Sequence, residues 1–212
     1  CCHKLEMHCK VFFLDRTTLD SQTTYVIFDV HKIGNKLDVP PEVFRSKVNE
    51  LLVAYAGYER IYTDGSKAGK AVAAAALSGP SISVKWLPNG SSIFSAESHA
   101  ILLALNIADI SVNERILILS DSLSCLQSID NQKLNHPLIL EIVTVIHRLT
   151  LNGKQLVFMW LPSHVGLAGN VAADAAAKAA LNLVESQTTV PYSDFYPLVH
   201  NFIQTFDCQQ LW

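Results

Sequence analysis

The sequence predicts a mixed α/β domain in which helices pack on the faces of a five-stranded sheet. Three strand-like segments come first in the central part of the chain, and strands then alternate with helices. That order is typical of a mixed sheet with helices on its faces. Of the 212 residues, 50% are hydrophobic and 17% are charged, which suits a globular core and excludes a chain that is disordered throughout.

The first 56 residues differ in character from the rest. Pro41 is expected to open a helix over residues 42–55, because proline is tolerated in the first helical turn. Cysteine and histidine crowd into the amino-terminal nine residues, at Cys1, Cys2, His3, His8 and Cys9. Zinc sites usually take two ligand pairs, each spaced by two to four residues. The crowding therefore favours an incidental terminus over a zinc site, and zinc stays open as the alternative.

Three strands are expected next, over residues 61–63, 71–77 and 82–86. The first is a β-branched and aromatic run that Asp64-Gly65-Ser66 is expected to end, since Asp-Gly is a common turn pair. The second is rich in alanine, which favours helix, but it is short and lies between two glycines. The third alternates polar and apolar residues, as a half-buried strand does.

The remaining elements alternate in type. Strands are predicted over residues 115–120 and 155–161, and helices over residues 96–107, 122–129, 137–151 and 170–183. The first of these helices is nearly all apolar, so we expect it to be buried on most sides. The chain shows no internal repeat.

Charge and cysteine content limit the function classes. The net charge of −3 argues against tight independent binding of nucleic acid, which usually needs a basic surface. No apolar run approaches the roughly 18 residues of a membrane span, and no signal-peptide core is evident. Five cysteines without regular spacing give no disulfide framework, so we expect an intracellular, reducing location in the cytoplasm or nucleus.

Two acidic residues follow predicted strands. Asp64 comes after the first strand and Asp121 after the strand over residues 115–120. Each has an ordinary explanation, a turn for Asp64 and a helix N-cap for Asp121. Ligands of open α/β sheets gather beyond the strand ends, however, and carboxylates are the ligands that Mg²⁺ prefers. The two residues are therefore candidate metal ligands.

Two further acidic residues lie on predicted helices. Glu97 opens the buried helix, where Ser95 would serve as N-cap and the carboxylate would favour the helix N-terminus. Yet it shares a face with residues expected to pack on the sheet, and a buried carboxylate needs a partner or a metal. Asp174 has an i,i+4 ion pair with Lys178 as its ordinary explanation. Taken singly, none of the four carboxylates requires a catalytic role.

The order of the motifs carries a family resemblance over about residues 60–185. They run Ile61-Tyr62-Thr63-Asp64-Gly65-Ser66, Ala96-Glu97, Ser120-Asp121-Ser122, Trp160-Leu161-Pro162-Ser163-His164-Val165-Gly166, Gly169-Asn170 and Ala173-Asp174. The chain resembles type 1 ribonuclease H, and specifically the ribonuclease H domain of non-LTR retrotransposon polyproteins. Together the motifs are highly specific, although a lone Asp-Gly-Ser would be weak.

The resemblance implies a function and a set of site residues. The activity would be endonucleolytic hydrolysis of the RNA strand of RNA–DNA hybrids with two Mg²⁺ ions, for which Mn²⁺ can substitute. Asp64, Glu97, Asp121 and Asp174 would be the metal-binding catalytic carboxylates. One ion would lie on Asp64, Asp121 and Asp174 and activate a water; the other would lie on Asp64 and Glu97 and stabilise the leaving 3′ oxygen. His164 would assist proton transfer or product release.

The resemblance also implies architecture and partners. Strands 1–3 would be antiparallel, with strands 4 and 5 parallel to strand 1. Residues 57–185 would form the nuclease domain, a monomeric unit, with residues 1–56 leading from an upstream reverse transcriptase domain and residues 186–212 forming an extension. We expect Gly65, Ser66 and Ser92 to contact 2′-hydroxyl groups of the RNA in its wide minor groove.

Departures from the family pattern are local. Val171 stands where glutamate usually follows Gly-Asn, and no basic helix precedes the last strand, so weak substrate binding is expected. Two alternatives remain open. One is a catalytically inactive structural or tethering domain, against which the intact carboxylates argue. The other is an integrase-like or exonuclease-like member of the superfamily, against which the His164 loop before Asp174 argues.

Overall fold

A computed structural model describes residues 24–34, 38–182 and 194, and within them one six-stranded sheet forms the centre. Its strands are β1 (Thr24–Ile27), β2 (Glu59–Ala68), β3 (Ala71–Ser78), β4 (Ser81–Leu87), β5 (Arg115–Ser120) and β6 (Gln155–Trp160). The order across the sheet is β1-β6-β5-β2-β3-β4. β2, β3 and β4 pair antiparallel, whereas β5 and β6 run parallel to β2. The predicted mixed α/β fold and its strand directions are confirmed.

Within the described residues, five α-helices cover the two faces of the sheet. They are α1 (Pro41–Ala54), α2 (Ile93–Ile110), α3 (Leu123–Asp130), α4 (Pro137–Leu151) and α5 (Ala168–Ala180). β5 shows how two faces arise from one strand, because alternate residues point to opposite sides. Ile116 and Ile118 join the core beneath α2, α3 and α4, whereas Leu117 and Leu119 join the core beneath α1.

The alanine-rich segment is a strand, as predicted, because helices approach both of its faces. Val72 and four consecutive alanines of β3 are fully buried. Both α2 and α5 pack against β3. Small side chains allow this close approach, so tertiary packing overrides the helix propensity of alanine.

The expected strand count of five is wrong by one, because β1 adds a sixth strand beside β6. Thr24 to Ile27 pair in parallel with Leu156 to Met159. The strand is only four residues long, so its signal in the sequence is weak. The predicted boundary at residue 57 stays a prediction, but β1 and α1 lie on its amino-terminal side and pack against the sheet.

α1 lies close to its predicted bounds and contributes to the core. Phe44, Val48 and Leu52 are buried in one cluster with residues of β5 and β6. The same cluster contains Val165 and Leu167, which flank the exposed end of the loop after β6. α1 therefore supports the loop that carries His164.

α2 is longer than predicted and begins three residues earlier. Its N-cap is Ser92, whose side chain accepts a hydrogen bond from the Ser95 N–H, so the expectation that Ser95 is the cap is wrong. With 18 residues and a mean hydropathy of 1.3, α2 could span a membrane by length and composition alone. More than half of it is buried against the sheet and α4, which is the ordinary situation of a core helix.

Two further sequence expectations fall outside the described residues. These are the Cys/His cluster with its zinc alternative and, apart from Asp194, the carboxyl-terminal extension. α5 begins at Ala168 and ends at Ala180, a little earlier at each end than predicted.

Candidate metal centre

Asp64 and Asp121 lie next to each other at one edge of the sheet. β2 and β5 are parallel neighbours in which Thr63 pairs with Ser120, and each aspartate is the next residue. The Thr63 hydroxyl donates a hydrogen bond of 3.2 Å to the Leu119 carbonyl, which ties the middle of β2 to the end of β5. The register of two parallel strands thus brings the two carboxylates together.

The expected turn at Asp64-Gly65-Ser66 is wrong. β2 continues through all three residues, with Asp64 paired to Ala75 and Ser66 to Ala73 of β3. A local Asp-Gly signal is overridden because β3 supplies a hydrogen-bonding partner for the whole segment. Asp64 therefore lies within a paired strand, and it is only 7% exposed.

Glu97 reaches this edge from the second turn of α2. Ala96 and Ala100, on either side of it along the helix, are fully buried against the sheet. At Gly65 the helix comes so close that an added β-carbon would lie 2.7 Å from the Glu97 nitrogen. The Gly65 N–H donates to the Glu97 carboxylate. The missing side chain of Gly65 therefore lets Glu97 approach β2.

The carboxylates of Asp64, Glu97 and Asp121 form a cluster. One oxygen from each lies within 4.8 Å of the others. The Glu97 Oε2 atom is buried and has no hydrogen-bond partner among the described residues. A buried, unpaired carboxylate oxygen is costly unless a cation or donor meets it. The donor set is all oxygen, which suits a hard divalent cation such as Mg²⁺.

Crowding of negative charge raises the pKa values in the cluster. Burial, followed by the charges of Asp121 and Asp174, raises the pKa of Asp64 to about 7, against which Lys178 acts weakly. Burial is also the main reason that the pKa of Glu97 lies well above its usual value, with Asp121 and Asp64 adding to it. A bound cation would relieve both effects, because it favours the ionised carboxylates.

Asp174 stands beside the cluster rather than within it. It lies on α5, and its carboxylate accepts a hydrogen bond of 2.7 Å from Lys178, the i,i+4 ion pair considered as its ordinary explanation. Its charge nevertheless acts on Asp64. α5 comes this close to β2 because Gly169 lies against the Tyr62 ring, where any side chain would collide.

His164 lies on the exposed loop between β6 and α5. Its backbone is left-handed, with φ of 60°, and Gly166 two residues later has φ of 79°. Its ring is not among the ligand atoms gathered at the cluster. His164 is exposed to solvent on this loop.

The three residues expected to contact substrate occupy different environments. Gly65 and Ser66 are half-buried on β2 near the cluster. Ser92 serves as the α2 N-cap, and its hydroxyl donates to Asp194 at 2.7 Å. Val171, the departure from the family pattern, is 53% exposed.

Two residues that hold the site together were not predicted to do so. The Trp160 indole N–H donates a hydrogen bond of 3.1 Å to the Asp121 carbonyl, which fixes the backbone beside that carboxylate. Trp160 lies in a motif that the sequence analysis quoted, but its role was not anticipated. Asp194 contacts the start of α2 from the carboxyl-terminal segment, and no local pattern signals that contact.

Comparison with known families agrees with this geometry. The sequence model described as RNase H matches residues 57–182, which span β2 to the end of α5 and include all four carboxylates. No curated protein sequence matches the chain.

Proposed function

The chain belongs to the ribonuclease H family, and we propose that it is a metal-dependent endonuclease that cuts the RNA strand of RNA–DNA hybrids. The observation that carries the proposal is the cluster of Asp64, Glu97 and Asp121, whose oxygens lie within 4.8 Å of one another. Three elements distant in sequence meet there, and the buried Glu97 Oε2 has no hydrogen-bond partner in the part of the chain that the structure describes. An ordinary turn, cap or ion pair accounts for none of this.

Each carboxylate has a proposed role. Asp64, at the centre, would be shared by two Mg²⁺ ions, with Asp121 and Asp174 completing one site and Glu97 the other. Two such ions supply activation of the attacking water and stabilisation of the leaving 3′ oxygen. Asp174 would turn from Lys178 toward the cluster, and the ion pair that it gives up is weak because Lys178 is exposed to solvent.

The other site residues would handle protons and substrate. His164, on its exposed loop, would assist proton transfer or product release. Gly65 and Ser66 would meet the RNA near the cluster. The Ser92 N–H and hydroxyl already bond to Asp194 and Ser95, so Ser92 would contact the RNA only through its remaining atoms.

The low content of basic residues bears on the biological context. Lys and Arg number 16 against 19 acidic residues. Because phosphate neutralisation supplies much of the non-specific affinity for nucleic acid, the isolated domain would bind hybrid weakly. We therefore propose that a reverse transcriptase domain of the same retrotransposon polyprotein delivers the substrate.

Cleavage of a labelled RNA–DNA hybrid with Mg²⁺ tests the proposal. Asp121→Asn should lower the rate by more than about 100-fold, since even loss of an outer-shell partner costs 10–100-fold at metal sites. Asp109→Asn is the matched control, because Asp109 lies on α2 but pairs with Arg148 at the surface. No cleavage by well-folded wild type would favour the inactive-domain alternative, and cleavage of duplex DNA would favour an integrase-like or exonuclease-like enzyme.

A further inference from the structure

Asp194, a residue beyond the family match, lies against the beginning of α2. Its carboxylate accepts hydrogen bonds from the Ser92 N–H at 2.9 Å, the Ser92 hydroxyl at 2.7 Å and the Ser95 hydroxyl at 2.8 Å. The residue is only 6% exposed. Such a buried carboxylate is stabilised because these three hydrogen bonds are all donated to it and because the helix N-terminus carries positive partial charge.

The contact extends the capping of α2. Ser92 caps the helix by accepting the Ser95 N–H through its hydroxyl oxygen. The same hydroxyl donates its hydrogen to Asp194, and so does the Ser92 backbone N–H. Asp194 therefore fixes the orientation of the residue that caps the helix, from about 100 residues away in sequence.

Asp194 lies near residues of two helices, α2 and α4. Its charge acts on His99 of α2 and on His136, the N-cap residue of α4. Burial lowers the pKa of His99 to about 4, Lys85 adds to this effect, and the Asp194 carboxylate opposes it. The carboxylate thus occupies a defined position between the beginnings of α2 and α4.

The first turn of α2 is held from two directions. On one side it rests on Gly65, where Ala96 and Glu97 approach the β2 backbone too closely to admit a β-carbon. At its end it is held by Asp194. Glu97 follows Ser92 by five residues, about 7.5 Å along the helix axis. Any loosening of that turn moves the Glu97 carboxylate relative to Asp64 and Asp121.

We propose that Asp194 is a positioning residue for the metal centre, acting through the first turn of α2 on Glu97. The nuclease domain accordingly includes Asp194, which lies beyond residue 182. This inference rests on one part of the proposed function, which is that the cluster binds metal. It does not require cleavage, because positioning can be measured as metal affinity.

The test uses the full chain with Asp194→Asn, which keeps the shape and removes the charge and one acceptor. Titration with Mn²⁺ by calorimetry should show affinity about threefold to tenfold below wild type, because Asp194 acts through a helix and should cost no more than the roughly tenfold lower limit of outer-shell effects. In hybrid cleavage kcat should fall by a similar factor with KM nearly unchanged. Glu59→Gln is the matched control, since Glu59 also accepts three side-chain hydrogen bonds but at the opposite end of β2.

The outcomes separate the two ideas. Wild-type Mn²⁺ affinity in folded Asp194→Asn, or an equal loss in Glu59→Gln, overturns the positioning role. A lower KM with unchanged kcat also overturns it, because the carboxylate would then be competing with substrate. If the wild type cleaves nothing but Asp194→Asn still weakens Mn²⁺ binding, the positioning role is supported and the nuclease proposal is refuted. If the wild type binds no Mn²⁺, both proposals are refuted.

If Asp194→Asn does not fold, Ser95→Ala removes one of the three hydrogen bonds to Asp194 and should also weaken Mn²⁺ binding. Unchanged Mn²⁺ affinity in Ser95→Ala overturns the proposal.

Discussion

The backbone of Glu97 lies directly over Gly65, closer than any β-carbon at residue 65 would allow. The virtual β-carbon falls 2.7 Å from the Glu97 nitrogen and 2.9 Å from the Ala96 carbonyl carbon. Both neighbours are backbone atoms of a buried helix, so neither can rotate away. The absence of a side chain at residue 65 thus sets the distance between two of the clustered carboxylates.

Gly65→Ala should displace α2 from β2 and impair the metal centre more than the fold. Overpacking of a rigid site costs about 1–3 kcal/mol, and the shift should reduce hybrid cleavage at least about tenfold. Urea unfolding and cleavage rates measure the two effects. Gly57→Ala serves as control, since the nearest atom there lies 3.9 Å away. Equal activity of the two variants would show that the close approach is unimportant.

Divalent metal binding should release protons at mildly acidic pH. The pKa of Asp64, raised to about 7 by burial and by its acidic neighbours, exceeds its usual value of 3.8. Between these values the metal-free fold binds more protons than the unfolded chain, so this group lowers the stability as the pH rises from about 4 to 7. Mg²⁺ requires the ionised form, and its affinity should rise over the same window and then level off.

Calorimetry at pH 6 in buffers of different ionisation enthalpy measures the released protons directly. Mg²⁺ binding with no proton release at pH 6 would contradict the raised pKa of Asp64. Thermal unfolding with and without Mg²⁺ at pH 8 should show stabilisation that Asp64→Asn abolishes.

Glu59 should have the opposite pH dependence. Burial would raise its pKa, but hydrogen bonds from Asn113, Ser111 and Ser78, together with the Lys154 charge, hold the pKa below its usual value. Its contribution to stability is therefore present above the unfolded pKa and is lost as the pH falls through the folded pKa. Because solvent screens this partly exposed carboxylate, Glu59→Gln should cost less than about 1 kcal/mol at pH 7 and almost nothing at pH 2. Urea unfolding at both pH values is the measurement, and an equal loss at both would refute the electrostatic origin.

Phe44→Ala should destabilise the whole nuclease domain although Phe44 precedes the family match. Its side chain is 1% exposed and packs beneath β5 and β6. Loss of a buried phenylalanine costs about 3–5 kcal/mol. Val43→Ala, a change at a 45% exposed position of the same helix, should cost less than about 0.5 kcal/mol. Similar unfolding midpoints for the two variants would show that α1 folds apart from the sheet.

Most elements follow from local patterns because their packing agrees with them. The predicted bounds of β5 and α4 are confirmed, since a hydrophobic run and a proline-to-glycine interval mark them clearly. The turn predicted at Asp64-Gly65 is absent because strand pairing with β3 outweighs a turn signal of two residues. Ser95 was wrongly predicted as the N-cap of α2. Ser92 has the extended backbone that an N-cap needs, and the sequence alone does not show which of two nearby serines has it.

The sequence predicted the carboxylates of the site but not the residues that hold them in position. Residue types and order pointed to the four carboxylates, and the structure gathers Asp64, Glu97 and Asp121 while leaving Asp174 with Lys178. Trp160 and Asp194 act through contacts made across the fold, with partners 39 and about 100 residues away. Such long-range partners leave no periodicity or spacing that a single sequence can display.

The parallel pairing of β1 with β6 has a consequence for the order of events during synthesis. Thr24 pairs with Leu156, which the ribosome adds 132 residues later. At about 5–20 residues per second, the first strand waits roughly 7–26 seconds for its only neighbour in the described sheet. Before that interval ends, β2, β3 and β4 have all been synthesised and can already assemble as a local meander. β1 is therefore synthesised before the other strands of the described sheet but is among the last of them to pair.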